Sequence, residues 1–111
     1  MELRGDIVSV NFDPVVGSEQ GKTRPAIIIQ HDNLNKYSKT TIVVPISSRI
    51  YEKNYPMHVY LAQSENLKEE TIKVEQLRVI DKLRIVKKVG AVSKEIMVKI
   101  GIALQKTCDY Y

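Results

Sequence analysis

The sequence predicts a small, strongly bent β-sheet or barrel capped by a C-terminal helix. Short β-branched or alternating runs recur at close intervals between Asp6 and Val92. Glycine, proline and short polar residues punctuate them as turns. A sustained helical period occurs only after Ser93. With 111 residues and 43% hydrophobic content, the chain makes one domain spanning 1–111. Such a domain buries roughly 60–70% of the surface its unfolded chain exposes.

The elements follow in order. From Asp6 to Phe12 the sequence alternates, with Val8, Val10 and Phe12 on one face and Ile7, Ser9 and Asn11 on the other. Asp13 to Lys22 is a loop marked by Pro14, Gly17 and Gly21. Pro25 to Gln30 is apolar throughout, as in a strand covered on both faces, and Pro25 can start a strand without losing a ladder hydrogen bond. His31 to Lys39 is polar and turn-like. Thr40 to Ile46 is another β-branched run, in which Pro45 predicts an edge or a strand end. Ser47 to Tyr55 is a second long loop. Met57 to Leu61 alternates, with Met57, Val59 and Leu61 inward and His58 and Tyr60 outward. Thr71 to Gln76 alternates again, with Ile72, Val74 and Gln76 opposite Thr71, Lys73 and Glu75. Asp81 can cap a short turn through Arg84. Ile85 to Val92 reads as the last strand, bent or bulged at Gly90. Ser93 is a good helix N-cap and Glu95 suits the dipole of the first turn. Ile96, Met97, Ile100, Ala103, Leu104 and Thr107 then form one apolar helix face, for core or dimer packing.

Composition narrows function. No apolar run approaches the ~20 residues of a membrane span, and the N-terminus lacks an apolar signal segment, so a cytoplasmic protein without membrane association is expected. One cysteine, Cys108, excludes an intrachain disulfide. His31 and His58 stand apart from other ligands, which disfavours a metal site. The net charge of +4 favours a polyanionic partner, though weakly.

The first long loop is unusually equipped. Gly17-Ser18-Glu19-Gln20-Gly21-Lys22-Thr23-Arg24-Pro25 sets two glycines, one acid and three hydrogen-bonding side chains beside Lys22 and Arg24. A connection that only had to turn needs two to five residues, and long loops carry function more often than scaffold.

Asp13 to Gly21 followed by Arg24-Pro25 resembles the N-terminal signature of the MazF/PemK/Kid toxins. Ile42-Val43-Val44-Pro45-Ile46-Ser47-Ser48 is similar to the family strand ending in Pro-Leu-Thr-Ser. Pro56-Met57-His58-Val59-Tyr60-Leu61 resembles its next strand, and Glu75-Gln76-Leu77-Arg78-Val79-Ile80-Asp81 its Glu-Gln-Ile-Arg-x-Ile-Asp segment. Four blocks in the right order span nearly the whole chain. The resemblance implies a mainly β, SH3-like small barrel with helices, assembled as a homodimer. It implies an endoribonuclease toxin that cuts single-stranded RNA without metal or other cofactor, leaving 2′,3′-cyclic phosphate and 5′-hydroxyl ends. It also implies a cognate antitoxin.

The family's active-site residues carry over to Arg24 and Ser47. Ser47 stands where threonine is commoner, so the hydroxyl survives with looser rotamer control. Arg24 suits charge stabilisation, because guanidinium is a poor base in water. Glu19 is the nearest carboxylate, placed to orient Arg24, act as base or shape the turn. Some Kid-type members carry histidine at the position of Ser18 and use arginine and aspartate where this chain has Lys73 and Glu75. RNA contacts are expected from Gly17, Ser18, Gln20, Lys22, Thr23, Ser48, Lys53, Lys73, Glu75 and Gln76. Tyr51 and Tyr55 are candidates to stack bases. His58 reads as a half-buried structural or interface residue, and Arg78 and Asp81 as fold-stabilising. Two other functions stay open: a gyrase-targeting toxin, since CcdB shares this fold, and a non-catalytic SH3-like RNA-binding module.

Overall fold

The computed structural model describes residues 2–12, 22–48, 56–61 and 70–109. Its strands are β1 (Asp6–Asn11), β2 (Thr23–Ile28), β3 (Thr40–Ser47), β4 (His58–Leu61), β5 (Glu70–Lys73), β6 (Arg78–Asp81) and β7 (Ile85–Ala91). Two helices, α1 (Asp32–Tyr37) and α2 (Lys94–Cys108), join them, with 3₁₀ turns at Val74–Gln76 and Lys82–Arg84. The sheet order is β4-β5-β3-β2-β1-β7, with β6 also on β3, and every pair is antiparallel.

The apolar run after Pro25 is buried on both sides, as its lack of alternation predicts. Ala26 and Ile28 join Val8, Val10, Phe12, Val43 and Ile80 in one core cluster. Ile27 and Ile29 join Val44, Ile46, Ile72, Val74, Ile100 and Ala103 in the other, beneath α2. The strand starts at Thr23, two residues earlier than expected, because Asn11 pairs with Thr23 and Ser9 with Pro25. Ser93 caps α2 by accepting from the Ile96 N–H, and Asp81 caps its turn by accepting from the Leu83 N–H. A bulge in β7 leaves Val89 as the extra residue, since Ile7 faces Gly90 and Val8 faces Lys88.

Three expectations are corrected. The polar stretch after His31 is helical, as α1. It has no apolar face to announce it, and its order comes from hydrogen bonds. His31 Nδ1 accepts from the Asn33 N–H. Asn35, buried, donates to the Gln30 carbonyl at 2.9 Å and accepts from Thr41 Oγ1 at 2.7 Å and from Gln30 Nε2 at 3.0 Å.

Pro45 is not at an edge or a strand end. It lies inside the central strand β3, level with Ala26 of β2. On the other side of β3, Ile46 pairs with Ile72 of β5, and Val43 pairs with Arg78 of β6. Three residues along β3 therefore correspond to six along its partner. The surplus of three is the 3₁₀ turn Val74–Gln76. This is the third correction: the alternation expected from Thr71 to Gln76 stops at Lys73. Proline brings no N–H to a ladder, and the chain leaves the ladder opposite it.

Two predictions follow from α1. Asn35→Ala strands the buried polar groups of Gln30 and Thr41 and should cost about 2–3 kcal/mol, read from urea unfolding. The Asp32 carboxylate is held below its usual pKa of 3.8 by the Arg4 N–H and then by the Asn35 amide. That stabilisation is full above the unfolded value and fades as pH falls through the lower folded value. Melting temperatures of wild type and Asp32→Asn should therefore differ at pH 7 and converge below pH 3.8.

Candidate RNA-facing site

Backbone pairing closes the base of the first loop. Beyond the Asn11–Thr23 pair, the Phe12 N–H donates to the Lys22 carbonyl at 3.0 Å. Lys22 adopts a left-handed φ of 65°, which costs a residue with a Cβ roughly 1 kcal/mol or more. Arg24 then enters β2 level with Val10. Gly17, Ser18, Glu19 and Gln20 lie outside the described residues, as do Tyr51, Lys53 and Tyr55.

Strand register decides which side chains share a face. Ala26 faces Pro45, and the same register continued two residues brings Arg24 level with Ser47. Ser47 faces Thr71, and Thr71 faces Tyr60. Directly opposed residues of antiparallel strands project to the same side. Arg24, Ser47, Thr71 and Tyr60 thus form one cross-strand row over β2, β3, β5 and β4. At about 4.8 Å per strand, the row spans about 14 Å. His58 and Lys73 face each other on the same side, one step along. The opposite side of these strands packs on α2 through Ile46, Ile72, Val59 and Leu61.

Burial grades the row. Ser47 is buried, Arg24 half-buried and Ser48 exposed. Thr71 is completely buried, and its Oγ1 has no hydrogen-bond partner. Tyr60, on the outer strand, is 37% exposed. Lys22 and Thr23 are exposed at the loop base.

A cleft of about 350 Å³ lies on the same side of β3, lined by Phe12, Pro45 and the stretch from Glu75 to Val79. It is the direct product of the three-residue excursion opposite Pro45. Phe12 is part of its lining, and the Arg78 guanidinium lies 5.3 Å from the centre of that ring, a cation–π distance. Arg78 is thus both a fold contact and a cleft residue. A larger hollow of about 500 Å³ beside Lys39 and Leu83 is at the opposite end of β3 from Ser47.

Glu75 and Gln76 sit in this excursion, but the Glu75 carboxylate turns inward. His58 Nε2 donates to Glu75 Oε2 at 3.0 Å. The His58 side chain is only 3% exposed and that of Glu75 30%. The sequence put His58 on the outward side of its strand as a half-buried structural or interface residue. It does lie on the side opposite Val59, but Glu75 covers it. Alternation in β4 could not reveal this, because the covering residue comes from a turn. Thr71 carries no sequence signal beyond its place in a strand. Among the described residues, no group of three His, Cys, Asp or Glu side chains gathers into a metal-binding cluster.

The fold and this row define a small bent β-barrel domain that carries a guanidinium, hydroxyls and a cleft on one side of its central strands. Residues 3–108 match the family model described as PemK-like, MazF-like toxin of type II toxin-antitoxin system. The chain belongs to that family. It is 41% identical over 106 residues to endoribonuclease MazF of Staphylococcus saprophyticus, covering 94% of this chain and 88% of that protein. The crystal structure of MazF from Deinococcus radiodurans superposes with a TM-score of 0.81 at 24% identity, over 95% of this chain and 94% of that one. An endoribonuclease from a mycobacterial species, solved in complex with its cognate antitoxin, superposes with a TM-score of 0.77 at 18% identity, over 96% and 94% of the two chains. These two likenesses establish the shared fold, including the SH3-like barrel with its C-terminal helix.

Ser47 tests the packing of this row. Its small side chain is buried beside Thr71. Ser47→Thr restores the residue expected in the family and should leave the melting temperature within a few degrees. Ser47→Leu forces extra carbons into a filled site and should lower stability by about 1–3 kcal/mol in thermal or urea unfolding.

Proposed function

We propose that the chain is an endoribonuclease toxin that cuts single-stranded RNA at preferred short sequences, without a metal, and is neutralised by a cognate antitoxin. The observation that carries this reading is the row in which the β2–β3 register, continued two residues beyond Ala26 and Pro45, brings Arg24 level with Ser47. The staphylococcal relative, an endoribonuclease by name, supports it. Its working form is a homodimer in the cytoplasm. No helix among the described residues is long and apolar enough to cross a membrane.

The chemistry is an internal displacement. The 2′-oxygen bonds to the adjacent phosphorus and the P–O5′ bond breaks. The 2′-hydroxyl proton leaves to a base, and the departing 5′-oxygen gains a proton from an acid. The products are a 2′,3′-cyclic phosphate and a 5′-hydroxyl. Charge accumulates on the non-bridging oxygens as five bonds form at phosphorus, and donors fixed in advance stabilise it best. Arg24 supplies a permanent cation on a strand that cannot drift, and Ser47 a hydroxyl donor on the next. Glu19 is positioned in sequence to orient Arg24 or take the 2′-proton. Lys22, Thr23, Ser48, Lys73 and Gln76 hold the neighbouring backbone and bases, joined by Gly17, Ser18, Gln20, Tyr51, Lys53 and Tyr55 from the two loops.

Digestion of a long RNA in EDTA should give 5′-hydroxyl ends and 2′,3′-cyclic phosphates. Arg24→Ala should cut at least 10²-fold more slowly, the loss seen when one transition-state donor is removed, while keeping its circular dichroism spectrum. A strict metal requirement, or full activity in Arg24→Ala, overturns the mechanism. Replacing Ser48 to Tyr55 by the corresponding loop of a paralogue should move the cut sites on the same RNA.

A further inference from the structure

We propose that His58 is a specificity-determining positioning residue: through Glu75 it fixes the turn Val74–Gln76, and so the wall of the cleft that holds one base of the RNA. The inference rests on the reading of this face as an RNA site.

The turn needs a tether. It lies outside the ladder of β3, and no side chain caps its start at Lys73. Its internal closure is the Leu77 N–H donating to the Val74 carbonyl at 3.1 Å. Val74 anchors one side by packing under α2. The other holds come from the β4 end of the chain. The Val74 N–H donates to the Met57 carbonyl at 3.1 Å, and His58 donates to the Glu75 carboxylate at 3.0 Å. Gln76 and Leu77, which follow directly, form the cleft wall together with Arg78.

Stability alone does not account for a polar tether. Glu75 Oε1 and Thr71 Oγ1 are buried without hydrogen-bond partners, and each such atom is costly. An apolar pair would fasten the turn without that cost. What a directional bond to a carboxylate adds is a defined orientation of the turn, and with it of the Gln76 amide. A side-chain amide can donate to and accept from a base edge, so its placement discriminates between bases. His58 itself, 3% exposed, acts through Glu75 rather than on RNA.

The test compares wild type with His58→Ala, His58→Gln, Glu75→Gln and the double variant His58→Ala/Glu75→Ala. Cleavage of a randomised single-stranded RNA pool gives base preference at each position around the cut. Steady-state kinetics on the preferred oligonucleotide give kcat and KM, and circular dichroism melts report folding. His58→Ala should lose about tenfold discrimination at one position, with KM raised several-fold and kcat changed less than threefold. Glu75→Gln should relax the same position, and the double variant should relax it no further. His58→Gln, which keeps a donor, should recover most of the preference. Unaltered preference at every position in folded His58→Ala overturns the proposal, as does a uniform fall in kcat without a change in preference. Should His58→Ala not fold, unaltered preference in Glu75→Gln overturns it equally. If the wild-type protein leaves RNA intact, the cleavage reading fails separately. The tether is then judged by fluorescence anisotropy on single-stranded oligonucleotides differing at one base: equal discrimination by wild type and His58→Gln, lost in His58→Ala, supports it, and discrimination unchanged in His58→Ala overturns it.

Discussion

The arrangement of the working face depends on one proline in the middle of a central strand. Pro45 is buried in β3, paired on one side with β2. On the other side the ladder breaks, and β5 and β6 reach β3 in registers three residues apart. Those residues leave the sheet as the turn Val74–Gln76. Phe12, Pro45 and the stretch from Glu75 to Val79 line the cleft that lies there. A missing N–H, an absence at the level of one atom, thus becomes a cleft of about 350 Å³. Proline is tolerated there because the bulge removes the need for its hydrogen bond.

The same strands divide labour between their two sides. One side of β3 and its neighbours is sealed under α2 by Ile46, Ile72, Val59, Ile100 and Ala103. That apolar packing holds the sheet rigidly enough for the polar side to be organised by register. Arg24, Ser47, Thr71 and Tyr60 come from four strands, yet their order in space follows from backbone pairing. A site built on strands is better held than one built on loops.

Much of this was legible in advance where the signal is periodic. The alternation of Val8, Val10 and Phe12, the unbroken apolar run from Ala26 to Ile29 and the helix after Ser93 all lie where their patterns put them. Capping chemistry located Asp81 and Ser93. The illegible parts share a different character. Helix α1 has no apolar face and is held by the buried Asn35, whose partners Gln30 and Thr41 flank the helix on the adjoining segments. Pro45 was misplaced because a strand interior and a strand end look alike when the neighbour's bulge is unseen. His58 was read as half-buried, but its cover could not be named, because Glu75 lies 17 residues further along the chain.

By itself, then, the sequence determined the class of fold and the family, and it singled out Arg24 and Ser47 as the residues proposed to handle a phosphate. It could do so because hydrophobic period, caps and short motifs are local properties of the chain. Which strands lie side by side, and therefore that Arg24 and Ser47 stand level, that Thr71 is buried beside Ser47 and that His58 holds Glu75, was decided only by tertiary structure. Register is a relation between segments distant in sequence, and a shift of one residue would turn each of these side chains to the other face.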